Sequence, residues 1–502
     1  STAEQARVRW DRRHPWLAAL ALAALVAVVY APTLQHDFIW DDDDYVQNKT
    51  TLRTADGLRE IWLQVGATPQ YYPLVFTTFW VEYRLWELDP AGYHATNLLL
   101  HALAALLLWR LLLRLAPPGA WLAAALFAVH PVHVESVAWV TERKNVLSLV
   151  FALASLLLYL RAAPLEAPPG ARPRPPWRYA LAWLLYLLAL FSKTVTASVP
   201  AVILVIAWWK RGRIAWRDVA WLAPFFAVGL GFGVLTIWME RTHVGATGAE
   251  WDLSFVERLL VAGRAAWFYA GKLAWPHPLI FFYPRWEIDA SAAWQYAFPI
   301  AGALLVAALW LWRGRIGRGP LAAVLLFVGV LTPALGFFDV YPFRYSFVAD
   351  HFQYHASVAL LAAAAAGLAL ARQRLRPPPA RATGAVPGGP VGFPANPTPL
   401  PAGAPPRPRG GPPPPPPGAG GTPAWRPPIP APGRRTTTWD VCCSPRATTR
   451  RPPPTSARGS RWLPRRRGSA TTWAARSRAS VASTRPRPSS SAHSSAPGRT
   501  TT

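Results

Sequence analysis

Four consecutive aspartates, Asp41 to Asp44, follow Phe38 and Trp40 in the stretch FIWDDDDYVQN. Neighbouring carboxylates resist joint ionisation, so one of them is driven towards a pKa at which it can take a proton from a hydroxyl. Further polar groups come later in short runs: HPVHVE at 130–135, ERKN at 142–145, SKT at 192–194 and the stretch from Arg344 to His351, with Glu257, Arg264, Lys272 and Arg285 between them. Carboxylates joined with Arg and Lys suit a phosphate-bearing ligand, because charge-assisted bonds strengthen as a leaving oxygen gains charge. Two metal alternatives stay open. Asp41, Asp42 and Glu135 offer hard oxygen ligands for Mg²⁺ or Mn²⁺, and His130, His133 and Glu135 form an HxxHxE pattern. Pro131 interrupts the helical geometry of that pattern, which favours a polar helix end lining a cavity, and the preferred reading needs no metal. Structural roles compete as well: Arg143 and Lys144 can pair with Glu142 or snorkel to headgroups, and Lys193 can anchor an interface.

The elements that must position these groups are apolar. Runs near 15–32, 94–115, 120–137, 146–162, 179–191, 197–209, 216–238, 293–312, 320–337 and 354–371 approach the ~20 residues that cross a bilayer as a helix. This predicts an all-α polytopic bundle of about ten spans. The first run lacks a small-residue cleavage site and reads as an uncleaved anchor. Arg7 to Arg13, Arg110 and Arg114, Arg161 to Arg178, Lys210 to Arg213 and Arg313 to Arg318 all fall on one side if the N-terminus is cytoplasmic. The polar runs then collect on the external face, where a site beside lipid suits a lipid-linked phosphate. Residues 239–292, broken by Pro276, Pro278 and Pro284, read as amphipathic or re-entrant helices on that face. Residues 51–66 read as a further surface helix, with Thr54 and Asp56 as caps.

Composition divides the chain in two. Of the 54 prolines, 31 lie beyond residue 372, with 21 arginines against one acid, Asp440. About +20 of the formal +27 therefore belongs to the tail, and the charge makes no case for nucleic-acid binding by the apolar part. The reading is a membrane domain over 1–371 and a Pro/Arg-rich, disordered tail over 372–502, whose composition matches out-of-frame translation of a GC-rich gene. Cys442 and Cys443 are adjacent and in that tail, so cysteine usage says nothing of redox compartment.

The blocks FIWDDDDYV, YYPLVFTTFWVEYRLW, GYHATNLLLH, HPVHVESVAWVTERKN, SKTVTASVP, LSFVERLLVAGRAAWFYAGKLAWP and YPFRYSFVADHFQY occur in this order between residue 38 and about 371. In that ordered set the chain resembles the GT-C-fold membrane glycosyltransferases. It most resembles the transmembrane and tetratricopeptide repeat-containing (TMTC-like) protein O-mannosyltransferase family, as a bacterial relative with the repeat region missing or frameshifted. No 34-residue repeat follows residue 371. The resemblance implies transfer of a sugar, mannose in this family, from a polyprenyl- or dolichyl-phosphate donor to a hydroxyl of a secreted or membrane polypeptide. It implies a location in a bacterial inner membrane or the endoplasmic reticulum. Asp41 and Asp42 match the family's paired acidic position, from which the base is drawn. Arg143, Lys193, Arg344 and His351 match positions suited to donor phosphate, and His133, Glu135 and Asp350 stand beside them as support. Glu142 and Asn145 occupy places where many relatives carry Gly and Asp. Direct, inverting attack needs no protein nucleophile. Two other readings compete: a transporter of a lipid-linked anion, which calls for charges near mid-bilayer in symmetric halves that are not seen, and an inert membrane scaffold.

Overall fold

The computed structural model describes residues 10–375, which are mostly helical and, among the described residues, contain no strand. The Pro/Arg-rich tail lies outside the described residues, apart from the end of the last helix at Leu375. A four-residue turn, α1 (Trp10–Arg13), leads into α2 (Pro15–Tyr30), where Pro15 takes a first-turn position that needs no donor. The loop that follows carries the aspartates. It is succeeded by α3 (Gly57–Leu63) and α4 (Pro73–Trp86). Thr54 caps α3 by accepting from Gly57 N at 3.0 Å, whereas Asp56 makes no side-chain cap bond.

The bundle continues with α5 (Pro90–Leu115), α6 (Ala120–Val129), α7 (Val134–Ala138), α8 (Arg143–Ala162), α9 (Pro176–Leu190), α10 (Val199–Arg211) and α11 (Trp216–Met239). Its remainder is α12 (Phe255–Ala274), α13 (Ala297–Ile316), α14 (Gly319–Leu331) and α15 (Tyr354–Leu375). Each of the ten apolar runs is helical. Six helices are long and apolar enough to cross a membrane, and α6 with α7, bent by 55° at His130–Pro131, makes a seventh if taken as one span. The remaining three, α9, α10 and α14, have 15, 13 and 13 residues. At 1.5 Å per residue these reach only about 20 Å, short of the ~30 Å hydrocarbon core. The protein is thus a multi-pass membrane protein with six or seven full-length spans among the described residues, fewer than the ten expected.

Helix α8 is the axis of the bundle. Residues across it from Val146 to Leu160 are buried against α5, α6, α9, α10, α11 and α15 in one apolar core. A second core holds the 38–86 segment against the start of α8 through Tyr45, Val46, Phe76, Phe79, Tyr93, Val140 and Leu147. Gly119 opens α6 at φ 76°, and a Cβ there would stand 2.5 Å from Ala365 O, so only glycine lets α6 start against α15. Helix α13 buries none of its side chains, as expected of an outer helix that meets lipid. Helix α12 carries the Ser254–Glu257 capping box and packs on α14 and α15, in line with the amphipathic helix expected within 239–292.

The basic loops meet at one end of the bundle. Arg114 donates to Leu160 O at 2.7 Å, Lys210 donates to Leu115 O, and Arg211 bonds Leu165 O at 3.1 Å and Asp218 at 3.2 Å. The Arg318 guanidinium lies over Gly212.

Candidate active site

The loop after α2 turns through Trp40, whose φ of 52° is unusual for a side-chain-bearing residue. Its ring sits 5.6 Å from Phe281 and 5.2 Å from Phe282, centroid to centroid. This turn separates the next two residues into different tasks. Asp42 is fully buried, and both its oxygens are engaged: Oδ1 accepts from Thr141 N at 2.7 Å and Thr141 Oγ1 at 2.5 Å, and Oδ2 from Ile39 N at 3.0 Å. It ties the first loop to the entrance of α8. Asp41 is partly buried, and its Oδ1 has no hydrogen-bond partner. Burial pushes its carboxyl up to about 6; Lys144 opposes that rise, and Glu142 and Asp42 add to it. Asp43 and Asp44 are exposed.

Glu142 lies at the centre of the charged groups. Its Oε1 is 2.8 Å from Lys144 Nζ and 3.9 Å from His351 Nε2; its Oε2 is 3.4 Å from Lys193 Nζ and accepts from Asn145 Nδ2 at 2.6 Å. Lys193 also donates to Asn145 Oδ1 at 2.7 Å. Burial brings the Lys193 ammonium down to about 8, partly offset by Glu142. His351 is held from behind by Glu135, whose Oε2 lies 2.9 Å from His351 Nδ1 and accepts from His351 N at 3.0 Å. Four stretches that are distant in sequence therefore converge here: the first loop, the 135–145 turn, the segment between α9 and α10, and the entrance of α15.

Arg143 does not join them. It is fully buried and turns towards α4 and α5, where its guanidinium pairs with Glu82 and donates to Asn97 Oδ1 at 2.8 Å, Thr78 Oγ1 at 3.2 Å and Tyr93 O at 2.7 Å. With its donors spent on protein, it has nothing to offer a phosphate, which corrects the role expected of it. Helical geometry explains the divergence, since successive positions on α8 point about 100° apart. Lys144 meets Glu142, the residue that precedes α8, while Arg143 turns to α4 and α5.

The supporting residues also separate. His133 is buried, with Nδ1 2.8 Å from Phe127 O and Nε2 2.9 Å from Ser357 Oγ, so it braces α6 against α15. Asp350 accepts from Tyr283 Oη at 3.2 and 3.0 Å and ties down the segment before α13. Arg344 is half exposed and faces Glu250 at 3.5 Å. Among the described residues no group of three or more His, Cys, Asp or Glu could hold a metal ion. Asp42 spends both its oxygens on protein donors and Glu135 its Oε2, so the expected Asp41–Asp42–Glu135 ligand set is not assembled among the described residues, and both ring nitrogens of His133 are engaged away from the HxxHxE pattern.

Beside this cluster, an apolar cavity of about 600 Å³ runs between α5, α8, α10, α14 and α15. Thr196 and His355 line it near the charged groups, and Trp209 and Lys210 line it near the basic loops. Glu82, Glu142, Lys144 and Asn145 are the residues that the sequence reading underweighted. The signal for Glu82 is the single acid of α4, and for the others it is the ERKN run itself.

The fold and site define a class: a multi-pass α-helical membrane protein with a buried cluster of carboxylates and lysines at one end of its bundle. Within that class the expected TMTC-like resemblance is borne out by named relatives. The chain is 33% identical over 156 residues to protein O-mannosyl-transferase F38B6.6 of Caenorhabditis elegans, covering 28% of this chain and 23% of the relative. It is 32% identical over 173 residues to protein O-mannosyl-transferase TMTC4 of Homo sapiens, covering 30% and 23%. Over 156 residues it is 33% identical to protein O-mannosyl-transferase tmtc2 of Xenopus laevis, covering 29% and 19%. The match spans less than a quarter of the length of these relatives. No family model and no solved structure matches the chain.

Proposed function

We propose that this protein is a membrane glycosyltransferase that moves mannose from a polyprenyl-phosphate donor to a Ser or Thr hydroxyl of a secreted or membrane polypeptide. The observation that carries the reading is Asp41. It is a carboxylate with an unpartnered buried oxygen, pushed up to about 6 by burial, and it feels both Lys144 and the Glu142 that pairs Lys144 with Lys193. In the reaction the acceptor oxygen attacks the anomeric carbon from the face opposite the phosphate. The bond from that carbon to the phosphate oxygen breaks, and polyprenyl phosphate leaves with the electron pair. Asp41 takes the hydroxyl proton. Lys144 and Lys193, with His351, meet the charge that grows on the leaving oxygen. Asp42 holds the loop in register and does not itself exchange the proton. Arg344 is half exposed and paired only loosely with Glu250, which leaves its guanidinium open to an incoming phosphate.

The apolar cavity supports a polyprenyl donor, because its lining is almost wholly aliphatic and it begins beside the charged cluster. The basic loops at the other end favour a cytoplasmic N-terminus and a site on the external face. The names of the relatives favour mannose and a protein acceptor. The test is transfer in vitro from polyprenyl-phosphate mannose to a Ser/Thr peptide by wild type, Asp41→Asn and Asp42→Asn. Loss of transfer in Asp41→Asn supports the assignment. Equal transfer by all three proteins would remove the carboxylates from the mechanism.

A further inference from the structure

A buried carboxylate bonded to two ammonium groups is an odd neighbour for a phosphate, since its charge opposes binding. The arrangement around Glu142 gives it a different task. Its two oxygens divide the cluster: Oε1 holds Lys144 at 2.8 Å and faces His351 at 3.9 Å, while Oε2 faces Lys193 at 3.4 Å and takes Asn145 at 2.6 Å. Asn145 reaches outward as well, donating to His351 O at 3.2 Å and accepting from Lys193 at 2.7 Å. Without the carboxylate, Lys144 and Lys193 would be two like charges in a buried space, and each would turn away or lose its proton. Titratable and polar groups face Glu142 and its lysines from the surrounding elements: Lys144 and Asn145 from α8, Lys193 ahead of α10, His351 and His355 from the entrance of α15, Glu135 from α7, Asp41, Asp42 and Tyr45 from the first loop, Tyr72 ahead of α4 and Glu240 just after α11.

We infer that Glu142 is the positioning residue of this site: it gathers Lys144, Lys193 and Asn145 at one point and sets the charge balance under which Asp41 works. The inference rests on the transferase reading. It also gives a reason for ERKN at 142–145, where the single Glu142 carboxylate shared by Lys144 and Lys193 leaves the cluster one net positive charge for an incoming phosphate. Glu142 and Lys144 act on Asp41 with opposite signs, Glu142 raising its pKa and Lys144 lowering it. A residue that merely filled space would have no such signed effect.

The experiment compares the full chain in lipid nanodiscs as wild type, Glu142→Gln, Glu142→Asp and Lys144→Gln. Transfer from polyprenyl-phosphate mannose is followed from pH 5 to 9, and binding of polyprenyl phosphate is followed in parallel. The acid limb of transfer is expected to move down by about one pH unit in Glu142→Gln and up by about as much in Lys144→Gln, with Glu142→Asp close to wild type. Polyprenyl phosphate is expected to bind several-fold more weakly to Glu142→Gln, whose lysines lose the carboxylate that gathers them, and several-fold more weakly to Lys144→Gln, with Glu142→Asp restoring wild-type affinity. Unmoved limbs with a uniform loss of rate would overturn the inference, as would affinity unaffected by either change. If Glu142→Gln does not fold, the Lys144→Gln shift alone decides. A wild type that binds polyprenyl phosphate with these responses but transfers no mannose would refute the transferase reading while leaving the positioning role in place.

Discussion

Replacing Arg143 by Met separates a structural arginine from a phosphate-binding one. Arg143 is fully buried, its ion pair with Glu82 is equally dry, and Glu82 Oε1 already lacks a partner. Removing the guanidinium strands the Glu82 carboxylate, which by analogy with other broken buried pairs costs about 3–5 kcal/mol. Asn97 Oδ1 and Tyr93 O each lose a donor, for roughly 1 kcal/mol more apiece if the contributions added in full, which neighbouring groups rarely do. A net loss of about 4 kcal/mol is expected, near a thousandfold in the folding equilibrium. Burial raises the Glu82 pKa and Arg143 lowers it, so the variant's Glu82 takes up a proton on folding. A raised folded-state pKa favours the folded form at low pH, so the loss is smaller at pH 5 than at pH 8. Denaturant or thermal unfolding in mild detergent measures both quantities, and Arg143→Met/Glu82→Leu is expected to recover most of the loss. A stable Arg143→Met protein that fails only in transfer would refute this reasoning and return Arg143 to the site.

Two further outcomes follow from the geometry. Thr141→Val removes the Oγ1 bond to Asp42 and leaves the backbone bond, so about 1 kcal/mol of loop tethering is lost. Faster proteolysis of the 38–48 loop and a several-fold fall in kcat/KM are expected, and unchanged values for both would count against the tether. Ala363→Phe narrows the apolar cavity at α15 and is expected to raise KM for a long-chain donor more than for a short-chain one. An equal effect on both donors would dissociate the cavity from the lipid tail.

Helices were legible in the sequence because hydropathy marks them directly, and every apolar run became a helix. Their reach was less legible: Gly212 and Pro333 mark the ends of α10 and α14 locally, but the break from Phe191 to Ser198 that ends α9 carries no such marker. The choice between Asp41 and Asp42 depends on Thr141, about a hundred residues away, and the two acids look identical in sequence. Arg143 looks in sequence like one more basic residue of an external loop, whereas its counter-ion, Glu82, sits 61 positions earlier on α4. Lys193 ends an apolar run in the sequence, but its partners Glu142 and Asn145 are set by tertiary packing alone.

The central claim is that Asp41 accepts a proton while lysine charge receives the phosphate, and the pH dependence of transfer tests it most directly. Asp41 must be ionised, which requires a pH above about 6, and Lys193 must be charged, which requires a pH below about 8. For wild-type protein with polyprenyl-phosphate mannose, kcat/KM is therefore expected to rise through pH 6, peak near 7 and fall through 8. Residual transfer by Asp41→Asn should lack the acid limb. A wild-type profile flat from pH 5 to 9, or an acid limb that survives in Asp41→Asn, would contradict the account.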